Sequence, residues 1–282
     1  MPIRKKIWDG TIPIRIILAS NETRSNEPVE YLLKAHRCSY LALYIPKVLR
    51  YFAKFLNDPS DAESWNWWFE FEQVPARWNW PVGLSFDMMT GLDPLSPDSA
   101  GATSLPWTLT LHRKDFPVEY ILRLEDEATV MDYWLNQTKE ACCLRDGNSR
   151  AVMNLSKSDT IELWDSVRNH SYDAYWSSVD KMQTTNSEMK NVPLKVYLPG
   201  GNRVVHVVVA PNRGSDEAAQ PTTLGMALSD QFPELFPSKR TCILARPVLH
   251  GVVPSLTVPL RELLQEAMFL DGFLHIGIVM MC

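Results

Sequence analysis

The sequence predicts an α+β protein in which a small α/β module occurs twice, once at each end of the chain, around an all-helical middle. Three observations carry the prediction. Both ends read strand, strand, helix and then further short strands, whereas the middle changes to helical periodicity. The third is that 45% of the 282 residues are hydrophobic, enough to bury a sizeable core.

Taken in order, Ile7 and Trp8 mark a short amphipathic start. Thr11 to Ala19 is a β-branched apolar strand, and Tyr31 to Arg37 is its expected hairpin partner across the turn-rich Asn21 to Pro28. Val48, Phe52 and Phe55 recur at helical spacing, so a helix is expected over Lys47 to Leu56, with Pro46 suited to its first turn or a start as early as Tyr40. Trp68 to Gln73 and Thr108 to His112 read as strands, Val82 to Thr90 as a short helix, and Gly91 to Ser104 as a loop.

From Glu125 to Asp146, Val130, Trp134, Gln137, Ala141 and Leu144 fall on one side of a helix. Ser156 and Asp159, three apart ahead of Ile161, Trp164 and Val167, form a capping-box pattern that opens a second helix. Tyr172, Tyr175, Trp176, Val179 and Met182 make a third amphipathic run, and the helical unit ends near Met189. Val192 to Leu198, the turn Pro199, Gly200, Gly201, Asn202, and Arg203 to Ala210 then give the clearest hairpin signal of the chain. Thr222 or Thr223 can cap a helix through Leu224 and Leu228, followed by a strand Thr241 to Ala245, a short helix Leu260 to Met268 and a closing strand Phe273 to Met280. Strand, strand, helix, strand, short helix, strand is the order of the ubiquitin-like β-grasp fold. The expected domains are residues 1–117, an N-terminal helix plus the first ubiquitin-like unit; 118–189, the helix-rich unit; and 190–282, the second ubiquitin-like unit.

A net charge of −5 argues against a dedicated nucleic-acid binder, which needs a basic surface to release phosphate counterions. Charge is uneven along the chain: residues 1–56 hold ten Lys or Arg against four acids, and 57–100 hold one Arg against eight acids. Mutual compensation within one fold is the expected reason, with a basic face for acidic partners or lipid headgroups as the alternative. Five scattered cysteines, Cys38, Cys142, Cys143, Cys242 and Cys282, have no metal-ligand spacing and fit a reducing compartment. Cys142 and Cys143 are expected to be buried, inert thiols. The N-terminus has no apolar signal core, and no apolar run approaches the roughly 20 residues needed to span a bilayer, so a soluble, unexported protein is expected.

The patterns that carry catalysis are missing. The six histidines stand apart without HxH, HExxH or His/Cys spacing, and there is no GxSxG, GxGxxG or phosphate loop, so no catalytic residues, metal or cofactor are expected. Aromatic residues cluster instead. Trp65, Trp67, Trp68, Trp78 and Trp80 lie within sixteen residues, more than one small core needs, which points to a partner-binding surface.

The stretch WFEFEQVPARWNWPVGLSFDMM, from Trp68 to Met89, resembles the signature region of the autophagy-related protein 5 family. IWDGTIPIRIIL, RCSYLALYIPKVL, SLPWTLTLH, DGNSRAVMNLS and LDGFLHIGIV resemble further family segments, in order, over nearly the whole chain, and the fungal members most. The resemblance implies a non-catalytic scaffold of the autophagy ubiquitin-like conjugation system. Such a scaffold joins the ubiquitin-like autophagy protein 12 and binds a helix of autophagy protein 16. The E3-like complex then stimulates the E2-like protein 3 to transfer protein 8 to phosphatidylethanolamine during autophagosome formation. It also implies a cytoplasmic protein, peripheral at the membrane of the preautophagosomal structure. Trp80, Pro81, Gly83 and Asp87 match the part of the family that holds protein 16: Gly83 would let a partner helix approach, and Asp87 would accept from a partner arginine.

One departure is informative. The familiar pattern places an acceptor lysine before an Ala-Ile-Met-like triplet, whereas Arg150 precedes Ala151, Val152 and Met153 here. A guanidinium stays protonated and is a poor nucleophile, so protein 12 is expected to dock without a covalent bond around Asn148, Ser149, Arg150 and Met153. The alternatives are a substitute acceptor lysine, Lys157 ahead of Lys139, or a membrane-binding effector using the basic N-terminal third.

Overall fold

A computed structural model describes residues 2–184, 189–200, 203–214 and 219–281. Gly201 and Asn202 of the expected turn, and Cys282, lie outside the described residues.

A short helix α1 (Ile3–Trp8) precedes the first module. Strands β1 (Thr11–Leu18) and β2 (Glu30–His36) form the expected antiparallel hairpin. The next segment winds as a 3-10 turn over Leu41–Tyr44, then helix α2 (Ile45–Phe52) with Pro46 in its first turn, then a second 3-10 turn at Ala53–Phe55. Strand β3 (Trp68–Phe71) turns at Glu72 and Gln73, both with positive φ, into β4 (Val74–Ala76), so the expected strand to Gln73 is a tight hairpin. Helix α3 (Val82–Thr90) has the expected bounds, and the expected loop after it contains one helical turn, α4 (Ala100–Thr103). Strand β5 (Trp107–His112) runs parallel to β1 at the centre of a five-stranded sheet, order β2-β1-β5-β3-β4.

The middle contains α5 (Glu127–Asp146), the short α6 (Arg150–Met153), α7 (Lys157–Arg168) and α8 (Tyr172–Thr184). Local chemistry sets these boundaries. The Asp126 side chain accepts from the Thr129 N–H at the start of α5, and Gly147 ends that helix in the left-handed region, φ 78°. Ser156 and Asp159 form the capping box at the start of α7.

The second module repeats the first in smaller form. Strands β6 (Val192–Tyr197) and β7 (Val204–Val209) pair antiparallel, followed by a minor pair, β8 (Asn212–Arg213) with β9 (Gln220–Pro221). Thr223 caps α9 (Leu224–Gln231) by accepting from the Met226 N–H. Strand β10 (Ala245–Val248) starts where the sequence places its end, because Met281 pairs back to Leu244 and fixes the register. Helix α10 (Leu260–Ala267) and β11 (Leu274–Met280) close a sheet of order β10-β11-β6-β7, with β11 parallel to β6. The two modules are β-grasp units and they flank the helices.

Every residue of β6 is buried, because α5 lies on one face of the sheet and α10 packs on the module's own side. The Trp134 indole N–H and the Tyr175 hydroxyl both donate to the Leu270 carbonyl, tying α5 and α8 to the second module. Trp8 stacks on His170 at 4.4 Å, and His170 stacks on His36 at 3.6 Å, so α1, β2 and the helical unit share one column of rings. These histidines are 134 positions apart in sequence and are not isolated in space.

Candidate functional site

The aromatic segment and the Arg150 segment occupy different surroundings. In the first, the Val82 N–H donates to the Ser39 carbonyl and the Gly83 N–H to the Arg37 carbonyl, so the first turn of α3 is hydrogen-bonded to the chain leaving β2. Asp87, one turn further, is buried, and a single Arg37 nitrogen donates to both of its carboxylate oxygens at 2.6 and 2.5 Å. Gly251 of the second module lies against the Arg37 guanidinium, and its backbone helps to hold this carboxyl down. Burial raises the Asp87 carboxyl to about 6, against the pull of Arg37. The arginine expected from a partner is thus supplied by the chain itself, and Asp87 ties the two β-grasp modules together.

Gly83 follows the same correction. A Cβ there would stand 2.9 Å from the Arg37 Cβ, and one on Gly251, at φ 79°, would stand 2.7 Å from the Arg37 Nη2. The close approach these glycines permit is therefore that of Arg37. Pro81 is buried and bridged to Tyr40. Of the five tryptophans, Trp67 and Trp78 are core, while Trp65, Trp68 and Trp80 are partly exposed.

Trp80 does face a groove. Its ring meets Tyr197 of β6 edge-on at 4.7 Å, with the Arg77 guanidinium 5.3 Å from the ring centre. It borders a hollow of about 640 Å³ lined by Phe71, Val74, Met88, Met89, Pro117 and Tyr120. Val118, Tyr120 and Leu122, in the linker to α5, are each more than half exposed. The sequence signal for this wall was Met88 and Met89, which close the Trp68 to Met89 stretch, and the apolar linker, which carries no motif. Flexible methionines beside aromatics suit an apolar helix face.

The second segment is at the surface. The Gly147 turn leads to Asn148, whose side chain accepts from the Arg150 N–H at 3.0 Å, and Arg150 opens α6 with its side chain exposed. Val152 is buried beneath it, while Met153 is 61% exposed. Asn148 and Arg150 line a cleft of about 660 Å³ between α6, α7 and α8, together with Asn154, Asp159, Glu162 and Lys181. Ser149 lies beside it, partly buried. Of the residues expected to dock protein 12, Asn148 and Arg150 line the cleft, whereas Ser149 and Met153 do not.

Lys157 is exposed at the start of α7, and Lys139 is half-buried on α5. Two lysines missed by sequence spacing also lie in this region. Lys181 shares the cleft, and the Lys190 amine is packed on Gly147, 2.6 Å from where its Cβ would be. Lys190 is forty positions from Arg150, and the hydrogen bond from its N–H to the Arg145 carbonyl brings it back. Cys142 is buried as expected, but Cys143, about 100° further round α5, is exposed.

Among the described residues no group of His, Cys, Asp or Glu could hold a metal ion. Asp271, His275 and Tyr197 are hydrogen-bonded in line, His275 Nε2 to Asp271 at 2.8 Å and Nδ1 to the Tyr197 hydroxyl at 2.7 Å. All three are sealed in the core of the second module, with Lys195 3.8 Å from Asp271, and the Lys195 amine donates to the Gln137 side chain of α5, which joins the network to the helices.

Residues 7–113, 127–185 and 191–278 match, in turn, the family descriptions "Autophagy protein ATG5, UblA domain", "alpha-helical bundle region" and "UblB domain". The chain belongs to the autophagy protein 5 family. Autophagy protein 5 of Penicillium rubens is 36% identical over 309 residues, covering 99% of this chain and 97% of its own. That of Aspergillus clavatus is also 36% identical, with the same coverage. The crystal structure of Kluyveromyces marxianus Atg5 superposes with a TM-score of 0.76 over 98% of both chains at 23% identity, which confirms the fold. The chain is accordingly a ubiquitin-like component of autophagy.

Proposed function

We propose that this chain is the non-catalytic scaffold of an E3-like complex, holding autophagy protein 12 without a covalent bond at the Arg150 cleft and a helix of autophagy protein 16 at the Trp80 groove. In this reading the complex promotes protein 8 lipidation by the E2-like protein 3, and acts in the cytoplasm, peripherally at the preautophagosomal membrane. The observation that carries it is the exposed Arg150 guanidinium at the mouth of the cleft, where a nucleophilic amine would be required. A docked partner must then stay through buried area and contact quality alone. Arg150 and Met153 supply a charge-assisted donor and an apolar contact on that surface.

Co-expression with protein 12 and its conjugating enzymes, followed by native and denaturing separation, tests the reading. Co-elution without a summed-mass band on the denaturing gel is the expected result. A summed-mass band refutes non-covalent holding. A second reading is favoured by the Lys190 amine against Gly147: conjugation through a substitute lysine, for which Lys190 and Lys181 join Lys157 and Lys139. Peptide mass spectrometry of the band would name the lysine.

A further inference from the structure

Each large sheet ends in two edge strands, and an edge's outward N–H and C=O groups invite another chain unless they are blunted. Three of the four edges here are blunted. Hydrogen bonds from Leu18 to Val29 and from Arg37 to Gly10 set the alternation of β2, which turns Glu30, Leu32 and Lys34 outward, two of them charged. Strand β4 is three residues long with Pro75 at its centre. Strand β10 turns Ala245 and Pro247 outward, and proline has no N–H to offer.

Strand β7 is different. The Leu198 N–H donates to the Arg203 carbonyl, and from that pair the antiparallel alternation turns Val205, Val207 and Val209 toward β6. Val204, His206 and Val208 point their backbone groups away from the sheet, and none of these groups has a hydrogen-bond partner among the described residues. The strand has no acidic residue, lysine or arginine, and Val208 is 44% exposed. Beside it, a hollow of about 280 Å³ opens between β7 and α9, with Val208, Val209 and Ala227 in its wall. At its rim Arg213 and Lys239 share one carboxylate, Asp230, at 2.5 and 3.8 Å. Arg213 and Lys239 outnumber Asp230 beside the hollow, while the Glu140 carboxylate of α5 lies 3.3 Å from the His206 ring.

We propose that β7 is a docking edge for an extended peptide segment of a partner, which adds as a fifth strand to the second module's sheet. One apolar side chain enters the hollow and a neighbouring acidic residue meets Arg213 and Lys239. An extended backbone is the occupant because only it repeats donor and acceptor every two residues, at the spacing of Val204, His206 and Val208. The rim charge selects an acidic flank. This edge is separate from the Trp80 groove and the Arg150 cleft and stands without them.

The probe is an acetylated, amidated peptide, Asp-Val-Thr-Val-Thr-Val, added at about 1 mM, where even weak strand addition is populated, to the full isotope-labelled chain. Amide exchange at Val204, His206 and Val208 is expected to slow about tenfold, with other amides unchanged. Of two versions N-methylated at alternate residues, the one whose methyls face β7 loses this protection and the other keeps it. Val208→Pro deletes an outward N–H the fold does not use, so it keeps the melting temperature and abolishes protection. Exchanging the leading Asp for Lys weakens protection. No protection by the parent peptide, equal behaviour of the two methylated versions, or an unchanged affinity on the Asp-to-Lys exchange overturns the proposal. So does peptide-free protection that grows with protein concentration alongside a dimer mass, which would assign the edge to a second copy.

Discussion

The Trp80–Asp87 and Asn148–Met153 segments look alike as sequence, each a compact group of polar, apolar and glycine-adjacent residues, yet one is largely a seam and the other a surface. Asp87 is sealed against Arg37 and Gly251, while Arg150 stands open at a cleft. The difference lies in what each helix is pressed against. Helix α3 is held between two β-grasp modules, with Gly277 of β11 so close to Met88 that a Cβ would stand 2.8 Å from its sulfur. Helix α6 is a single turn on the outside of the bundle, anchored by Val152 alone among its buried residues.

The largest expected effect separates the two directly. Removing one partner of a buried ion pair leaves an uncompensated charge, so Asp87→Ala should cost about 3–5 kcal/mol of unfolding free energy by denaturant titration. Arg150→Ala should stay within about 0.5 kcal/mol in the same assay. Equal costs would erase the distinction between seam and surface.

Acid probes the seam more broadly. Burial lowers His170 to about 4 and His250 to about 3. Both therefore bind protons more readily unfolded, and their contribution is full above the ordinary histidine value near 6.5 and lost as pH falls toward 4. Asp87, raised to about 6, runs the other way, losing stability as pH rises from about 4 to 6. The melting temperature should drop by a few degrees between about pH 6.5 and 4.5, and His170→Gln should flatten that slope. A flat profile in the parent chain would show that the ring column does not resist protonation.

A smaller effect is expected at Trp80, which belongs to both worlds. Trp80→Ala should weaken a protein 16 helix peptide by about thirtyfold in calorimetry, the scale of an interface hot spot, while costing less stability than Asp87→Ala. The smallest stability effect should come from Arg150→Lys, which leaves the melting curve in place and, with the conjugating enzymes present, produces a summed-mass band. Absence of that band would show that the position lacks the geometry for conjugation.

What could be read in advance follows the same division. Hairpins, caps and helix faces are local, and so the Thr223 cap, the Ser156 box and the bounds of α3 were legible in residue order. Strand β10 was displaced because its register is set by β11, thirty-five residues away, and not by its own apolar run. Arg37 and Asp87 are fifty positions apart and no periodicity links them. The same is true of His36 with His170, and of Lys190 with the Gly147 turn. Cys143 was assigned to the core with its neighbour, but adjacent helical positions are about 100° apart and only Cys142 faces inward. The Arg150 turn stood out in the sequence because a family pattern marked it, and its lysine neighbours did not because folding alone brings them there.

The most direct measurement is a double-mutant cycle on Arg37 and Asp87, followed by denaturant titration and by binding of the protein 16 helix peptide. An internal seam predicts that Asp87→Ala is strongly destabilising, that Arg37→Met with Asp87→Leu recovers most of the loss, and that the recovered double variant still binds the peptide. Asp87→Ala with unchanged stability and lost peptide binding would contradict the account and return Asp87 to the partner's surface.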